Sequence, residues 1–99
     1  MQEPLKKADF SPYMHETFTV CSPYIGNLDV VLAELTEKHY PGQECFSVIF
    51  RGPHQPVLQQ MLYTISHCEM GNFQLFMVPV NHPKQDGTYY QSVFNRIIP

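Results

Sequence analysis

The sequence predicts a single small all-β domain, an antiparallel sandwich or partly open barrel of five to seven strands. The chain has 99 residues, which is the length of one domain rather than of several. Its nine prolines leave few intervals long enough for a helix, and its 13% aromatic content suits half-buried strands. Short alternating segments recur at roughly ten-residue intervals with turn signals between them, a spacing typical of an antiparallel sandwich or barrel.

Residues 1–12 are interpreted as a flexible N-terminal arm that precedes the β domain at residues 13–99. The arm is polar and bounded by prolines, and Phe10 is its one anchor to a core. The first strand is predicted at residues 16–21, where apolar and polar residues alternate.

Residues 27–38 fit two secondary structures. Their apolar residues recur at the i, i+3, i+4, i+7 spacing of a helix. Leu28, Val30 and Leu32 also alternate as they would in a strand. The β-rich context favours the strand, because tertiary context overrides a weak local propensity, and the helix stays open as the alternative.

Four further strands are predicted at residues 45–51, 61–68, 73–80 and 88–98. A short turn containing Gly71 joins the second of them to the third, since glycine accepts a positive φ angle without strain. Because sequential strands usually pair, the last three strands are expected to form a C-terminal meander.

The charge composition argues against nucleic acid and membranes as partners. The net charge is −3, and the six Lys and Arg residues are dispersed apart from one adjacent pair. Nucleic acid and anionic membranes are bound by clustered basic residues. The sequence also contains no apolar run long enough for a transmembrane helix and no apolar segment of a secretory signal.

Cys21, Cys45 and Cys68 are an odd number of cysteines without Cys-x-x-Cys spacing. They do not describe a disulfide framework, so reduced thiols and a cytoplasmic location are expected. Neither Cys45 nor Cys68 has an adjacent cation or helix start that would activate it as a nucleophile. The sequence shows no paired carboxylates at close spacing and no glycine-rich phosphate loop, and it therefore predicts a protein that is not an enzyme.

His67, Cys68, His54 and His82 are the candidate residues for a metal or a small ligand. Alternation along a strand points His67 and Cys68 to opposite faces, and none of the spacings typical of metal ligands is present. The chain is therefore expected to hold no metal and no cofactor. A site formed by these four residues is the alternative.

Tyr63, Tyr89, Tyr90, Arg51 and Arg96 are the candidate interface residues. Tyrosine combines a large apolar ring with a polar tip and is enriched at protein interfaces. Packing within the sheet is the alternative for the tyrosines, and a salt bridge to a carboxylate is the alternative for Arg51.

Three segments carry a resemblance to a known family: FSVIFRGP (46–53), LYTISHCEMGNFQLFMVPV (62–80) and YYQSVFNRI (89–97). They resemble a family of short, uncharacterised bacterial β proteins. The likeness covers about the last 55 residues well and about the first 40 loosely. Gln59, Gln60 and Met61 stand where the family turn carries a glycine, which puts a glycine-dependent role of that loop in doubt. The resemblance implies no activity. It implies that the genes of the family lie near genes for phage-tail-collar-like proteins.

These observations favour a small non-enzymatic module that binds or assembles through protein contacts, with a protein partner or by self-association, in a phage-tail-like context. The alternatives are a metal- or small-ligand-binding protein and an acidic inhibitor of the immunity type. The net charge of −3 permits the inhibitor but does not favour it, because the acidic residues are not clustered.

Overall fold

Six antiparallel strands close on themselves into a barrel in the computed structural model, which describes residues 6–97. The predicted all-β antiparallel fold is confirmed, and the sheet forms a closed barrel. A short helix, α1 (Lys7–Phe10), and a 3₁₀ turn (Ser11–Tyr13) precede the sheet. The strands are β1 (Thr17–Ser22), β2 (Gly26–Tyr40), β3 (Gln43–Gly52), β4 (Met61–His67), β5 (Gly71–Val80) and β6 (Thr88–Ile97).

The strand order around the barrel is β1-β2-β3-β6-β5-β4, and β4 closes the ring by pairing with β1. The strands β4, β5 and β6 pair in chain order, so the predicted C-terminal meander is confirmed. β6 lies between β3 and β5. It therefore joins the β2–β3 hairpin to the β4–β5 hairpin.

The segment with two candidate secondary structures, residues 27–38, is a strand, as the context predicted. Leu32 faces the interior of the barrel, and the register with β3 then shifts between Leu32 and Glu34. The extra residue, Ala33, forms a β-bulge, which changes the face on which the following residues lie. Beyond the bulge, Leu35 takes the half-buried position and Glu34 is exposed.

The core of the protein is one row of apolar side chains that alternation points into the barrel. Each of these side chains is at most 7% exposed. The residues are Phe18, Val20, Val30, Leu32, Val48, Phe50, Tyr63, Ile65, Phe73, Leu75, Met77 and Tyr90.

Phe10 closes one end of the barrel from outside the sheet. Its ring is fully buried, with centroids 6.3, 5.8 and 5.9 Å from the rings of Phe46, Phe73 and Phe94. A helix of four residues is not stable alone, so this contact fixes α1. Of the arm predicted over residues 1–12, residues 1–5 lie outside the described residues, and Phe10 anchors the rest. No helix within residues 6–97 is long and apolar enough to cross a membrane.

The strands β5 and β6 pair over only three residues, 78–80 with 89–91. Towards the Phe10 end, β5 continues alongside β4 and β6 continues alongside β3. Where the two strands separate, the buried Ser92 hydroxyl donates a hydrogen bond of 2.6 Å to the backbone carbonyl of Phe76. We call the gap between residues 71–77 of β5 and 92–97 of β6 the β5–β6 split.

Candidate functional site

Three half-exposed apolar side chains lie on the outer surface of the barrel, two of them paired on β4 and β5 and the third on β6 across the split. Leu62 of β4 and Phe76 of β5 are direct cross-strand partners. The β5–β6 register, continued by two residues, places Val93 opposite Phe76 across the split. The three side chains are 52%, 50% and 53% exposed. A single exposed apolar residue is ordinary, but a group of them on successive strands marks an interaction surface, and we call this group the outer apolar row.

The outward positions around this row carry no charged side chain. Amides, hydroxyls and aliphatic groups occupy them, and Gln91 Nε2 donates to Ser47 Oγ over 3.3 Å. The outward side of β2, in contrast, presents Asp29, Glu34 and Lys38. We call the uncharged surface the neutral face. Its members besides the row are Cys45, Ser47, Ile49, Thr64, Ser66, Asn72, Gln74, Val78, Gln91 and Asn95.

Tyr63 and Tyr90, two of the predicted interface residues, lie inside the barrel and are 2% and 0% exposed. The Tyr63 hydroxyl donates to the Gln59 carbonyl over 2.6 Å, and the Tyr90 hydroxyl accepts from the Leu58 N–H over 2.9 Å. Burial raises the pKa of both hydroxyls. The two tyrosines bind the β3–β4 connection to the barrel and present no surface to a partner.

Tyr89 and Arg51 lie on the outer side of the barrel wall and are joined by Asp86, and Tyr89 is only 3% exposed. Arg51 Nη1 lies 3.2 Å from Asp86 Oδ2, and the Tyr89 hydroxyl donates to Asp86 Oδ1. The Tyr89 hydrogen bond, with the Arg51 guanidinium beside it, holds the pKa of Asp86 below its usual value. The His82 ring covers Tyr89, with centroids 3.8 Å apart. The side chain of Arg96 lies outside the described residues, so its interface role stays a prediction.

His67 is buried and hydrogen-bonded through both of its ring nitrogens. Nδ1 accepts the N–H groups of Glu69 and Met70, over 3.1 and 3.2 Å. Nε2 therefore carries the proton, and it donates to Glu16 Oε1 over 2.9 Å. The ring also packs 4.5 Å from that of Phe18, centroid to centroid. These contacts make His67 a structural member of the core.

The other candidate metal ligands are occupied or lie apart. His82 Nδ1 accepts the N–H of Lys84 over 3.2 Å, and its Nε2 donates to Glu34. His54 borders the same surface cavity as His82, whereas Cys68 is exposed in the β4–β5 turn. Within residues 6–97, no three His, Cys, Asp or Glu side chains are arranged to hold a metal ion.

A groove of about 710 Å³ lies between α1 and the β2–β3–β6 part of the sheet, next to the split. Phe46 and Phe94, direct partners on β3 and β6, line it with their rings stacked 4.5 Å apart. Gln74 of β5 also borders it. Lys6, Lys7, Glu37 and Glu44 lie at its rim, and Lys7 Nζ lies 3.2 Å from Glu37 Oε2.

The outer apolar row was not predicted from the sequence, although a signal for it was present. Leu62 alternates with Tyr63 and lies on the same face as the polar Thr64. Phe76 and Val93 likewise follow glutamine at the second position before them. An apolar residue on the polar face of three successive strands predicts an exposed patch, provided that the strands are neighbours.

A family model described as a domain of unknown function (DUF6916) matches residues 5–94. No curated protein and no solved structure matches the chain.

Proposed function

Because the chain belongs to the family described as domain of unknown function DUF6916, a description without an activity, we propose a function from its surface. The protein is a non-enzymatic module that binds another protein through the neutral face. The observation that carries this proposal is the outer apolar row, Leu62, Phe76 and Val93. The interaction proposed from sequence is kept, and its location moves from the tyrosines to this row.

The energetics of the row support a specific contact. Burying the exposed half of each side chain stabilises a complex by roughly 1 kcal/mol, about half of the value for a whole side chain. Three such contributions, with the surrounding amides as hydrogen-bonding groups, suit the centre of an interface of moderate affinity. The strands fix the backbone that carries these side chains, so no backbone segment of this protein has to be ordered on binding.

The neutral face selects the chemistry of the partner. A charged surface pressed against it would lose hydration without gaining an ion pair, so the partner presents an uncharged, partly apolar surface. The resemblance of the sequence supports a bacterial phage-tail-like setting, in which the products of adjacent genes are the first proteins to test.

Substitution of Phe76 tests the proposal. Light scattering after size exclusion, over a hundredfold range of concentration, first establishes the mass of the free protein. The adjacent gene products are then captured with the unmodified chain and with Phe76→Ser. Capture is expected to fall about tenfold in Phe76→Ser, which corresponds to 1.4 kcal/mol.

Tyr24→Ser is the matched control, because Tyr24 is an exposed aromatic residue, 75% accessible, in the β1–β2 turn. It should leave capture unchanged. Equal effects of the two substitutions, or none from Phe76→Ser, would contradict a role of the neutral face. A concentration-dependent dimer that Phe76→Ser dissociates would identify a second copy of the chain as the partner.

A further inference from the structure

We propose that the partner presents an extended segment, which adds as a strand to the edge of β6 inside the β5–β6 split. This inference rests on the proposed function, because it specifies how a protein partner is recognised next to the neutral face. It concerns the backbone of the split, whereas the proposed function concerns the side chains of the outer apolar row.

The hydrogen-bonding direction of the β6 backbone follows from Pro79. Pro79 pairs with Tyr90 but has no N–H, so these two residues do not exchange backbone hydrogen bonds. The flanking pairs, beginning with Val78–Gln91, are therefore the hydrogen-bonded pairs of the ladder. Alternate residues of a strand direct their N–H and C=O groups to the same side. Val93 and Asn95 therefore direct theirs towards β5, as Gln91 does.

On its β5 side, β6 pairs with no strand beyond Gln91 within residues 6–97. The β5–β6 ladder ends at Val78 and Gln91. The carbonyl of Phe76, the next β5 group that would bond to β6, accepts from the Ser92 hydroxyl instead. An unpaired strand edge is a template for another strand, because every added residue pair satisfies backbone groups that are otherwise left to water.

The side chains beside the split suit a neutral segment with apolar residues. Phe76 and Val93 flank its outer side, half exposed. The stacked rings of Phe46 and Phe94 border the groove at its inner side. Successive side chains of an added strand would point alternately to these two surfaces. The edge at residues 93–97 spans about 13 Å at roughly 3.3 Å per residue, so it pairs with a segment of about five residues.

N-methylated peptides test the backbone contact. The probe is an acetylated and amidated pentapeptide of alternating threonine and valine, added in large excess to the ¹⁵N-labelled full chain. One analogue carries N-methyl groups at positions 1, 3 and 5, and a second carries them at positions 2 and 4. The parent should shift the amide resonances of Val93, Asn95 and Ile97, and one analogue should lose this effect while the other keeps it.

Three outcomes of this titration would overturn the inference. They are the absence of shifts with the parent, shifts confined to residues outside the split, and equal binding of both analogues. Equal binding would mean that the side chains alone are recognised.

Hydrogen exchange of the free protein tests whether the edge is open. The amides of Val93 and Asn95 should exchange near the rate of an unstructured peptide. Protection of these amides would overturn the inference by showing another occupant. Protection that persists on dilution would identify residues 1–5 of the same chain, and protection that is lost on dilution would identify a second copy.

Asn95→Pro removes one edge N–H, and Asn95→Ala is its control with the N–H retained. Both should keep the far-ultraviolet circular dichroism of the barrel, and only the proline variant should lose peptide binding and partner capture. If Asn95→Pro does not fold, the two N-methylated analogues decide the question with the unmodified chain, because they remove the peptide's N–H groups and leave the outer apolar row intact. Capture that is lost in Phe76→Ser and kept in the edge variant would leave the proposed function standing and would refute strand addition.

Discussion

His67 shows how one polar side chain is accommodated in an otherwise apolar core. Its Nδ1 accepts two backbone N–H groups of the β4–β5 turn, and its Nε2 donates to Glu16 at the start of β1. A buried polar group costs stability unless it is hydrogen-bonded, and here both nitrogens are. The residue therefore joins the turn to β1 and fills space in the core at the same time.

His67→Ala is expected to lower the free energy of unfolding by roughly 2–4 kcal/mol. The substitution leaves a cavity beside Phe18 and removes the acceptor of the Glu69 and Met70 N–H groups. Urea unfolding, followed by circular dichroism, measures the change.

Glu16→Gln is the control for this prediction. It keeps an oxygen that can accept from His67 Nε2, and the Glu16 side chain is 46% exposed. The expected change is within about 0.5 kcal/mol. A similar loss in both variants would show that the charge of the Glu16 carboxylate, rather than the buried ring and its Nδ1 contacts, stabilises this end of the barrel.

The Tyr89–Asp86 hydrogen bond predicts a dependence of stability on acid pH. It lowers the native pKa of Asp86, so its contribution is complete above the ordinary aspartate value of about 3.9. The contribution is lost as the pH falls through the lowered native pKa, because the native carboxylate is then protonated as well. The stability difference between the unmodified chain and Tyr89→Phe should therefore be constant near neutrality and shrink in acid.

Urea unfolding between pH 7 and pH 3, measured for both proteins, tests this prediction. Tyr24→Phe, at an exposed tyrosine of the β1–β2 turn, should show a difference that does not change with pH. A Tyr89→Phe difference that is also constant down to pH 3 would mean that the hydroxyl does not control the ionisation of Asp86.

At the scale of single elements, the bulge in β2 explains why the sequence was ambiguous. Leu28, Val30 and Leu32 have the two-residue spacing of a strand, and the next inward residue, Leu35, follows after three. The bulge at Ala33 adds that residue, and the resulting pattern imitates the spacing of a helix. The existence of the strand could be predicted from context, but the bulge depends on its pairing with β3.

The candidate site was harder to predict than the fold for a related reason. Alternation assigns Tyr63 and Tyr90 to one face of their strands but does not say which face is inside. The strand order decides this, because it makes Leu62, Phe76 and Val93 neighbours on the outside. That order places β6 between two strands that precede it in the chain, which local sequence patterns do not reveal.

Helix α1 depends on a single side chain, and this predicts a large effect from a residue outside the sheet. Phe10→Ala should lower the free energy of unfolding by about 3–5 kcal/mol, the usual range for a buried phenylalanine. The ring is completely buried against three other aromatic rings, so its replacement by the alanine methyl group leaves a cavity. Thermal or urea unfolding measures the loss.

Ala8→Ser, at an exposed position of the same helix, is the matched control and should change stability by less than about 0.5 kcal/mol. Equal stabilities of Phe10→Ala and Ala8→Ser would show that the barrel closes without the N-terminal helix.

At the scale of the whole molecule, the charges are distributed unevenly around the barrel. The neutral face covers most of the outward side of β3, β4, β5 and β6, with Arg51 at one end of β3, whereas β2 presents acidic residues and lysine. Under the proposed function, such a separation keeps the charges on one side and leaves the other side for contact with a partner.

This distribution predicts that binding depends little on salt. Partner capture through the neutral face should be similar at about 0.1 M and about 1 M ionic strength, because screening acts on charges and the contact contains none. Phe76→Ser should reduce capture at both concentrations. A steep loss of capture in high salt would assign the interaction to the charged side of β2 instead.

The strand order also bears on the protein while it is still being synthesised. β6 is the latest of the six strands to leave the ribosome, yet it fills the position between β3 and β5. A nascent chain that ends before Thr88 has two open edges and lacks the Phe94 ring against which Phe10 packs. Such an intermediate would be a substrate for chaperones, and it could be completed by the β6 strand of a neighbouring nascent chain.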